Sequence, residues 1–174
     1  DNMVAAEKSN LFFGTGLMSD YNLVKLIDMA DIDGSKNVRV IMRFTAGVQY
    51  GIGTDIVDIS RIKKLINKNK RFKSRIFSKH EIKYCEARPD KIASYSKRFA
   101  AKEAFVKALG TGISKGISFN EISVNNNKNG VPFVELLRKT KSVTKILIKK
   151  KYNIYLSLSD EKKYAIAMVI ISFL

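Results

Sequence analysis

Glu103 and Lys107 stand four residues apart in Arg98-Phe99-Ala100-Ala101-Lys102-Glu103-Ala104-Phe105-Val106-Lys107-Ala108-Leu109, a stretch with no interior glycine or proline. Residues four apart on a helix share a face, so a carboxylate and an ammonium are presented together. The ordinary explanation is an i,i+4 ion pair on a solvated strip. The surrounding helix argues otherwise. Ala101, Ala104, Phe105, Ala108 and Leu109 form one apolar arc and Phe99 and Val106 a second, which leaves little surface uncovered. Charge on such a helix is costly unless something uses it. A second carboxylate, Asp55, is delivered by Gly51-Ile52-Gly53-Thr54-Asp55-Ile56-Val57, an apolar run broken by Gly-x-Gly. That run fails as a dinucleotide fingerprint, because its third glycine is absent and its acid falls inside the motif. An aspartate on a strand, a helix with glutamate then lysine, and a Gly110-Thr111-Gly112 turn make a polar constellation that packing alone does not call for.

Together these segments resemble the holo-acyl-carrier-protein synthases, the small phosphopantetheinyl transferases. That family's signature is G-[IL]-x-x-D near the start, then [RW]-F-x-x-K-E-[AS]-x-x-K and a G-T-G-type turn. Both halves occur here in order, and the resemblance covers about Tyr50 to Leu174. It implies an α+β fold, helices packed on an antiparallel sheet. It also implies transfer of 4′-phosphopantetheine from coenzyme A to a serine of an apo acyl carrier protein, with release of adenosine 3′,5′-bisphosphate. Such a reaction must hold a pyrophosphate and neutralise its charge while an oxygen attacks phosphorus in line. Mg²⁺ suits the task, since it takes one or two protein carboxylates and fills its shell with water and phosphate oxygens. By resemblance Asp55 and Glu103 are the metal ligands and Lys107 acts in catalysis. Either Glu103 or a metal-bound water accepts the serine proton. Arg98 and Lys102 match positions near the coenzyme A phosphates, and Gly110, Thr111 and Gly112 match the turn that approaches the cofactor. Ser157-Leu158-Ser159-Asp160 stands where many relatives carry a serine–histidine pair, which removes any histidine-based role there. The family forms trimers with active sites between subunits. Ala165, Ala167 and Val169 alternate with Ile166, Met168 and Ile170, so both faces of that strand need cover.

The charge is uneven. Residues 1–47 hold five basic and six acidic residues, whereas 48–174 hold 27 basic and 10 acidic, within a net charge of +16. Such a surface attracts acidic partners. Arg61, Lys64 and Lys68, at helical spacings of three and four just after Asp55, form one basic stripe. Carrier proteins are acidic, so the stripe is expected to dock the carrier. A nucleic-acid-binding module without catalysis would explain the charge but not Asp55, Glu103 and Lys107, and no aromatic–basic interleave of the RNP1 kind is present. A non-catalytic scaffold would predict no metal dependence. The single Cys85 excludes an internal disulfide and suits a reducing, cytoplasmic setting, with burial as a small hydrophobe its expected role. One histidine, His80, cannot build a His-based metal cluster and falls in a capping box, Ser78-Lys79-His80-Glu81. No apolar run is long enough to span a bilayer, and neither membrane nor nucleic acid is expected as a partner.

The elements that position these residues can be read in order. Residues 1–47 form an unassigned N-terminal extension: a tag, a lineage-specific addition, or a misassigned start with Met42 the true one. Leu23, Ile27 and Ala30 propose a short amphipathic helix there, between turns at Gly14-Thr15-Gly16 and Asp33-Gly34-Ser35. The transferase domain occupies 48–174. A strand is predicted over Tyr50–Val57 and a helix from Ser60, with Ile59, Ile62, Leu65 and Ile66 inward. A basic run, Lys68–Lys73, leads to Ile76-Phe77 in the core. Ser78 caps a second helix toward Ala87, and the long helix runs from Arg88-Pro89-Asp90 to Leu109. Ile117, Phe119, Ile122 and Val124 predict a strand that pairs back with Val131–Leu137. Val143, Ile146 and Leu147 mark a basic amphipathic helix. Tyr152–Ser159 and Lys163–Phe173 form a final hairpin.

Overall fold

The computed structural model describes residues 3–5, 12–14, 24–29, 38–43, 49–113 and 116–174. The chain divides into two compact units, Asp1–Gln49 and Tyr50–Leu174. The first contains two antiparallel pairs, β1 (Met3–Ala5) with β2 (Phe12–Gly14) and β3 (Val24–Met29) with β4 (Val38–Arg43). A strand therefore replaces the helix expected around Ile27. The register sets position 27 opposite 40 and position 26 opposite 41. Three of these four residues are β-branched types that suit strands, and a short isolated helix is marginal in water. The turn proposed at Asp33-Gly34-Ser35 lies outside the described residues, as do Thr15 and Gly16.

The second unit begins in β5 (Gln49–Asp58) and continues with α1 (Ile59–Lys68), α2 (Phe72–Ile76), α3 (Lys79–Glu86) and α4 (Lys91–Leu109). The hairpin β6 (Ile122–Asn126) and β7 (Pro132–Leu136) follows, then α5 (Arg138–Ile148) and the strands β8 (Tyr152–Asp160) and β9 (Tyr164–Phe173). The sheet has the order β5-β9-β8, with β8 and β9 antiparallel from Tyr152 opposite Phe173 to Asp160 opposite Ala165. Along β9, Ala165, Ala167, Val169 and Ile171 are sealed, while Ile166, Met168 and Ile170 on the other face are half-buried. The core forms where α4 packs on β9, with Phe105, Val106 and Leu109 among its buried side chains.

The helices α1, α3 and α4 each start at a residue whose side chain satisfies free amides of the first turn. Asp58 accepts from Ser60 N–H at 2.7 Å and from Arg61 N–H, and Asp90 accepts from Ala93 N–H at 2.8 Å. Ser78 and Glu81 close the capping box predicted around His80, which is itself exposed. Gly110 ends α4 in the left-handed region, φ 74°, where a side chain would be strained.

Three expectations change. Phe72–Ile76 is helical, because Phe72 anchors the basic run against Phe77 and Phe99, with ring centroids 6.2 and 6.3 Å away. The strand expected from Ile117 starts only at Ile122. Phe119–Glu121 makes a 3₁₀ turn, consistent with an apolar spacing that changes parity between 119 and 122. In α5, Ile146 faces solvent at 68% exposure while Thr140, Thr144 and Ile148 are buried. Cys85 is a buried free thiol, as its expected packing role requires.

Candidate active site

The two glycines of the Gly-x-Gly run are contact points, not a phosphate loop. A Cβ on Gly51 would overlap the Ala108 carbonyl oxygen. One on Gly53 would overlap the Ala104 carbonyl oxygen and lie 2.6 Å from Ala108 N. The facing side of α4 is correspondingly small, with Ala104 and Ala108 both buried. Glycine against alanine lets the strand lie directly on the helix. Two strand residues advance about 6.6 Å and four helical residues about 6 Å, so the elements keep step as β5 runs toward the N-terminal part of α4. Residues 51, 53 and 55 share one face of the strand. Asp55 is therefore the next residue on the face that meets the helix.

Helical side chains lean toward the helix N-terminus, which carries Lys107 back over this position. Its ammonium donates to Asp55 Oδ1 at 2.7 Å and to the Thr54 carbonyl at 3.0 Å. The Asp55 side chain is 14% exposed and that of Lys107 53%. Glu103 is half-buried one turn before Lys107. Burial, and secondly the Asp55 charge, raise its pKa, while Lys107 and Arg61 oppose the shift. Two carboxylates and two cations thus share one electrostatic neighbourhood. Among the described residues no group of three or more His, Cys, Asp or Glu side chains could hold a metal. A pair of hard, mutually repelling carboxylates fits Mg²⁺, which needs only one or two from the protein when phosphate and water complete its shell.

Around this centre the other site candidates separate. Arg61 is exposed on α1 and close enough to act on Glu103, whereas Lys64 and Lys68 continue the exposed basic stripe away from it. Gly110, Thr111 and Gly112 follow α4 directly, with Gly112 also left-handed at φ 61°. Arg98 is buried: it donates to Ser94 O, Ser94 Oγ and Asn126 Oδ1 and stacks 4.1 Å from the Tyr84 ring centroid. It lines a groove with Arg88, Asn126, Gly130 and Asp160. Asp160 pairs with Lys97 at 2.7 Å.

Lys102 requires a correction. Its side chain is fully buried, and its ammonium donates to Glu81 Oε2 at 2.8 Å, to the Phe119 carbonyl at 2.9 Å and to the Ile122 carbonyl. An ammonium has three protons, and all three are used inside the protein. It has none left for a coenzyme A phosphate. The reason lies in helix geometry: residue 102 is one step of about 100° from 103, which turns it from the open side of α4 into the layer formed by α3 and β6. Glu81, its partner, is legible in the sequence only as a capping residue, since nothing local announces an acceptor 21 residues upstream.

Residues 51–169 match the model of the 4′-phosphopantetheinyl transferase superfamily. The holo-[acyl-carrier-protein] synthase of Pelagibacter ubique is 47% identical over 122 residues, 70% of this chain and 94% of that protein. The synthase of Ruthia magnifica is 46% identical over 123 residues, 70% of this chain and 95% of that protein. Among solved structures, the synthase of Neisseria meningitidis superposes with a TM-score of 0.65 at 35% identity, covering 71% of this chain and 98% of that one. The Helicobacter pylori synthase in complex with coenzyme A does so with 0.61 at 35% identity, covering 70% and 99%.

Proposed function

Since this chain belongs to the 4′-phosphopantetheinyl transferase superfamily, with holo-acyl-carrier-protein synthases as its relatives, we propose that Asp55, Glu103 and Lys107 carry the transfer of 4′-phosphopantetheine from coenzyme A to a serine of an apo acyl carrier protein. The observation that carries this is the meeting of both signature motifs at one point, through the Gly51 and Gly53 contacts with α4. Mg²⁺ held by Asp55 and Glu103 would supply positive charge to the pyrophosphate of coenzyme A. The serine oxygen attacks the phosphorus that bears the pantetheine arm, the bond from that phosphorus to the bridging oxygen breaks, and adenosine 3′,5′-bisphosphate leaves. Lys107, half-exposed and resting on Asp55, is free to swing to the phosphates and stabilise the departing oxygen. Glu103, half-buried one helical turn before Lys107, takes the serine proton. Gly110, Thr111 and Gly112 bring backbone close to the cofactor, while Arg98, buried beneath the groove, acts by holding Ser94 and Asn126.

Incubating the protein with Mg²⁺, coenzyme A and an apo carrier protein should add one phosphopantetheine group to the carrier, read by intact-mass spectrometry. An unmodified carrier would overturn the assignment and return weight to a basic binding module. The carrier's acidic helix is proposed to dock on Arg61, Lys64 and Lys68. Exposed pairs contribute roughly 0–1 kcal/mol each, so the stripe acts mainly through encounter rate. Arg61→Glu should raise KM for the carrier about tenfold at low salt, with the effect fading as salt screens it, while KM for coenzyme A stays within about twofold. Equal changes in both constants would mean that the stripe is only a wet surface. A homotrimer, with the half-buried Ile166, Met168 and Ile170 face of β9 as subunit contact, completes the proposed working form, in a cytoplasmic setting.

A further inference from the structure

The contact that brings Asp55 to Glu103 has a mechanical weakness. Gly51 and Gly53 lie on Ala104 and Ala108, so no large side chain interlocks strand and helix there. A smooth helix face resists rotation and sliding poorly, because close packing resists displacement through side chains that interdigitate. Side chains on a helix reach about 5–6 Å from its axis. A turn of about 20° would therefore carry the Glu103 carboxylate roughly 2 Å, well beyond the tolerance of about 0.5 Å that a functional site allows. Phe99, Phe105, Val106 and Leu109 anchor α4 in the core on its other faces, and a directional tie next to Glu103 narrows its rotation further.

The residue beside Glu103 supplies that tie. Lys102 binds three acceptors from two directions: the Glu81 carboxylate on α3, and the carbonyls of Phe119 and Ile122 at the two ends of the 3₁₀ turn. Glu81 is equally committed. It accepts from Ser78 N–H at 2.7 Å and Val124 N–H at 3.0 Å in addition to Lys102, and both side chains are fully buried. Burying an ion pair seldom gains stability over an apolar pair of the same volume; what it specifies is geometry. Here it ties α4 at one angular position to α3, the 3₁₀ turn and β6.

We infer that the Lys102–Glu81 pair is a positioning device for the reaction, setting the rotation of α4 so that the adjacent Glu103 faces Asp55. This rests on the assignment of Asp55 and Glu103 as the metal-binding carboxylates. It gives the lysine of the K-E dipeptide a task distinct from cofactor binding: Lys102 acts through Glu103 and touches no substrate.

The test uses the full chain with Lys102→Met and Glu81→Gln, singly and combined. The double variant removes both charges and keeps the volumes, and the side-chain amide oxygen introduced at position 81 can still accept from Ser78 N–H. Three quantities are read at a temperature well below each variant's melting point: kcat, KM for coenzyme A, and Mn²⁺ affinity without substrates by electron paramagnetic resonance. The expected result for the double variant is a native far-UV spectrum, kcat down at least tenfold, Mn²⁺ bound about tenfold more weakly and KM for coenzyme A within about twofold, the pattern of a displaced metal ligand rather than a lost substrate contact. Wild-type kcat and Mn²⁺ affinity in a folded double variant would reduce the pair to a stabilising contact and overturn the inference. A raised KM with unchanged kcat would overturn it too, by returning Lys102 to the cofactor. If the double variant fails to fold, Lys102→Met alone carries the same expectations, since it cuts the tie while Glu81 keeps its bonds from Ser78 N–H and Val124 N–H. If Mn²⁺ binding by the wild type does not depend on Asp55, the metal assignment fails, and the split between kcat and KM decides the positioning role separately.

Discussion

Replacing Asp55 or Glu103 by alanine should abolish transfer and leave the fold standing. Asp55 meets only Lys107 among the charged partners described, at the half-exposed edge of the α4 contact, and Glu103 is kept at a raised pKa by burial and by Asp55. Neither carboxylate holds the core together. Each removal relieves like-charge repulsion, so the melting temperature should stay level or rise, the usual exchange between function and stability at a strained polar site. Losing one preorganised group at the transferring phosphoryl typically costs about 10²–10³ in kcat, and a metal ligand belongs at the top of that range or above it. The pH dependence has a definite sign. Glu103 must be ionised to hold a cation, and its pKa is raised, so metal affinity should fall on acidification earlier than for an ordinary carboxylate. In Glu103→Gln that early fall should disappear along with most of the affinity. Wild-type turnover in either alanine variant, with metal present, would remove these residues from the mechanism.

Why this pair can be found without a structure, and the Lys102–Glu81 pair cannot, follows from where each set of constraints is written. Asp55, Glu103 and Lys107 sit inside two short motifs whose residue types are unusual for their apolar surroundings. Caps are equally local: Ser78 with Glu81, Asp90 before α4 and Gly110 after it are all decided within four residues. The burial of Lys102 is settled by α3 and the 3₁₀ turn, 21 and 17 residues away. A lysine followed by glutamate on a helix looks like two surface charges until the fold rotates one inward. The 3₁₀ turn at Phe119–Glu121 is hidden for a related reason. Its apolar positions imitate a strand, while the bonds that hold the turn come from far along the chain: Lys102 to the Phe119 carbonyl at 2.9 Å and Ser118 N–H to Thr140 Oγ1 at 3.0 Å. The strand β3 escapes a reading of local periodicity because pairing with β4, not the period of its own residues, selects its conformation.

Among the described glycines, Gly53→Ala should be one of the most damaging single-methyl additions. The new carbon would fall on the Ala104 carbonyl oxygen and 2.6 Å from Ala108 N, both main-chain atoms of a helix that cannot yield as a side chain would. The restricted unfolded chain would favour the alanine variant by about 0.4–1 kcal/mol. Overpacking of a close contact costs about 1–3 kcal/mol when side chains can adjust, and here none can, so the cost lies at or beyond the upper end. Against a total stability of roughly 5–15 kcal/mol, a large drop in melting temperature follows. The functional loss should exceed what the unfolded fraction explains, because β5 can accommodate the methyl only by lifting from α4, which carries Asp55 away from Glu103 and Lys107. Gly130→Ala is the matched control: its φ of 79° strains an alanine, yet a Cβ there meets nothing within 4 Å. It should cost about 1–2 kcal/mol and lower kcat per folded molecule far less than Gly53→Ala does. Equal melting temperatures for Gly53→Ala and wild type, with full activity, would show that strand and helix do not need their glycine–alanine contact. The site geometry argued from it would then have no foundation.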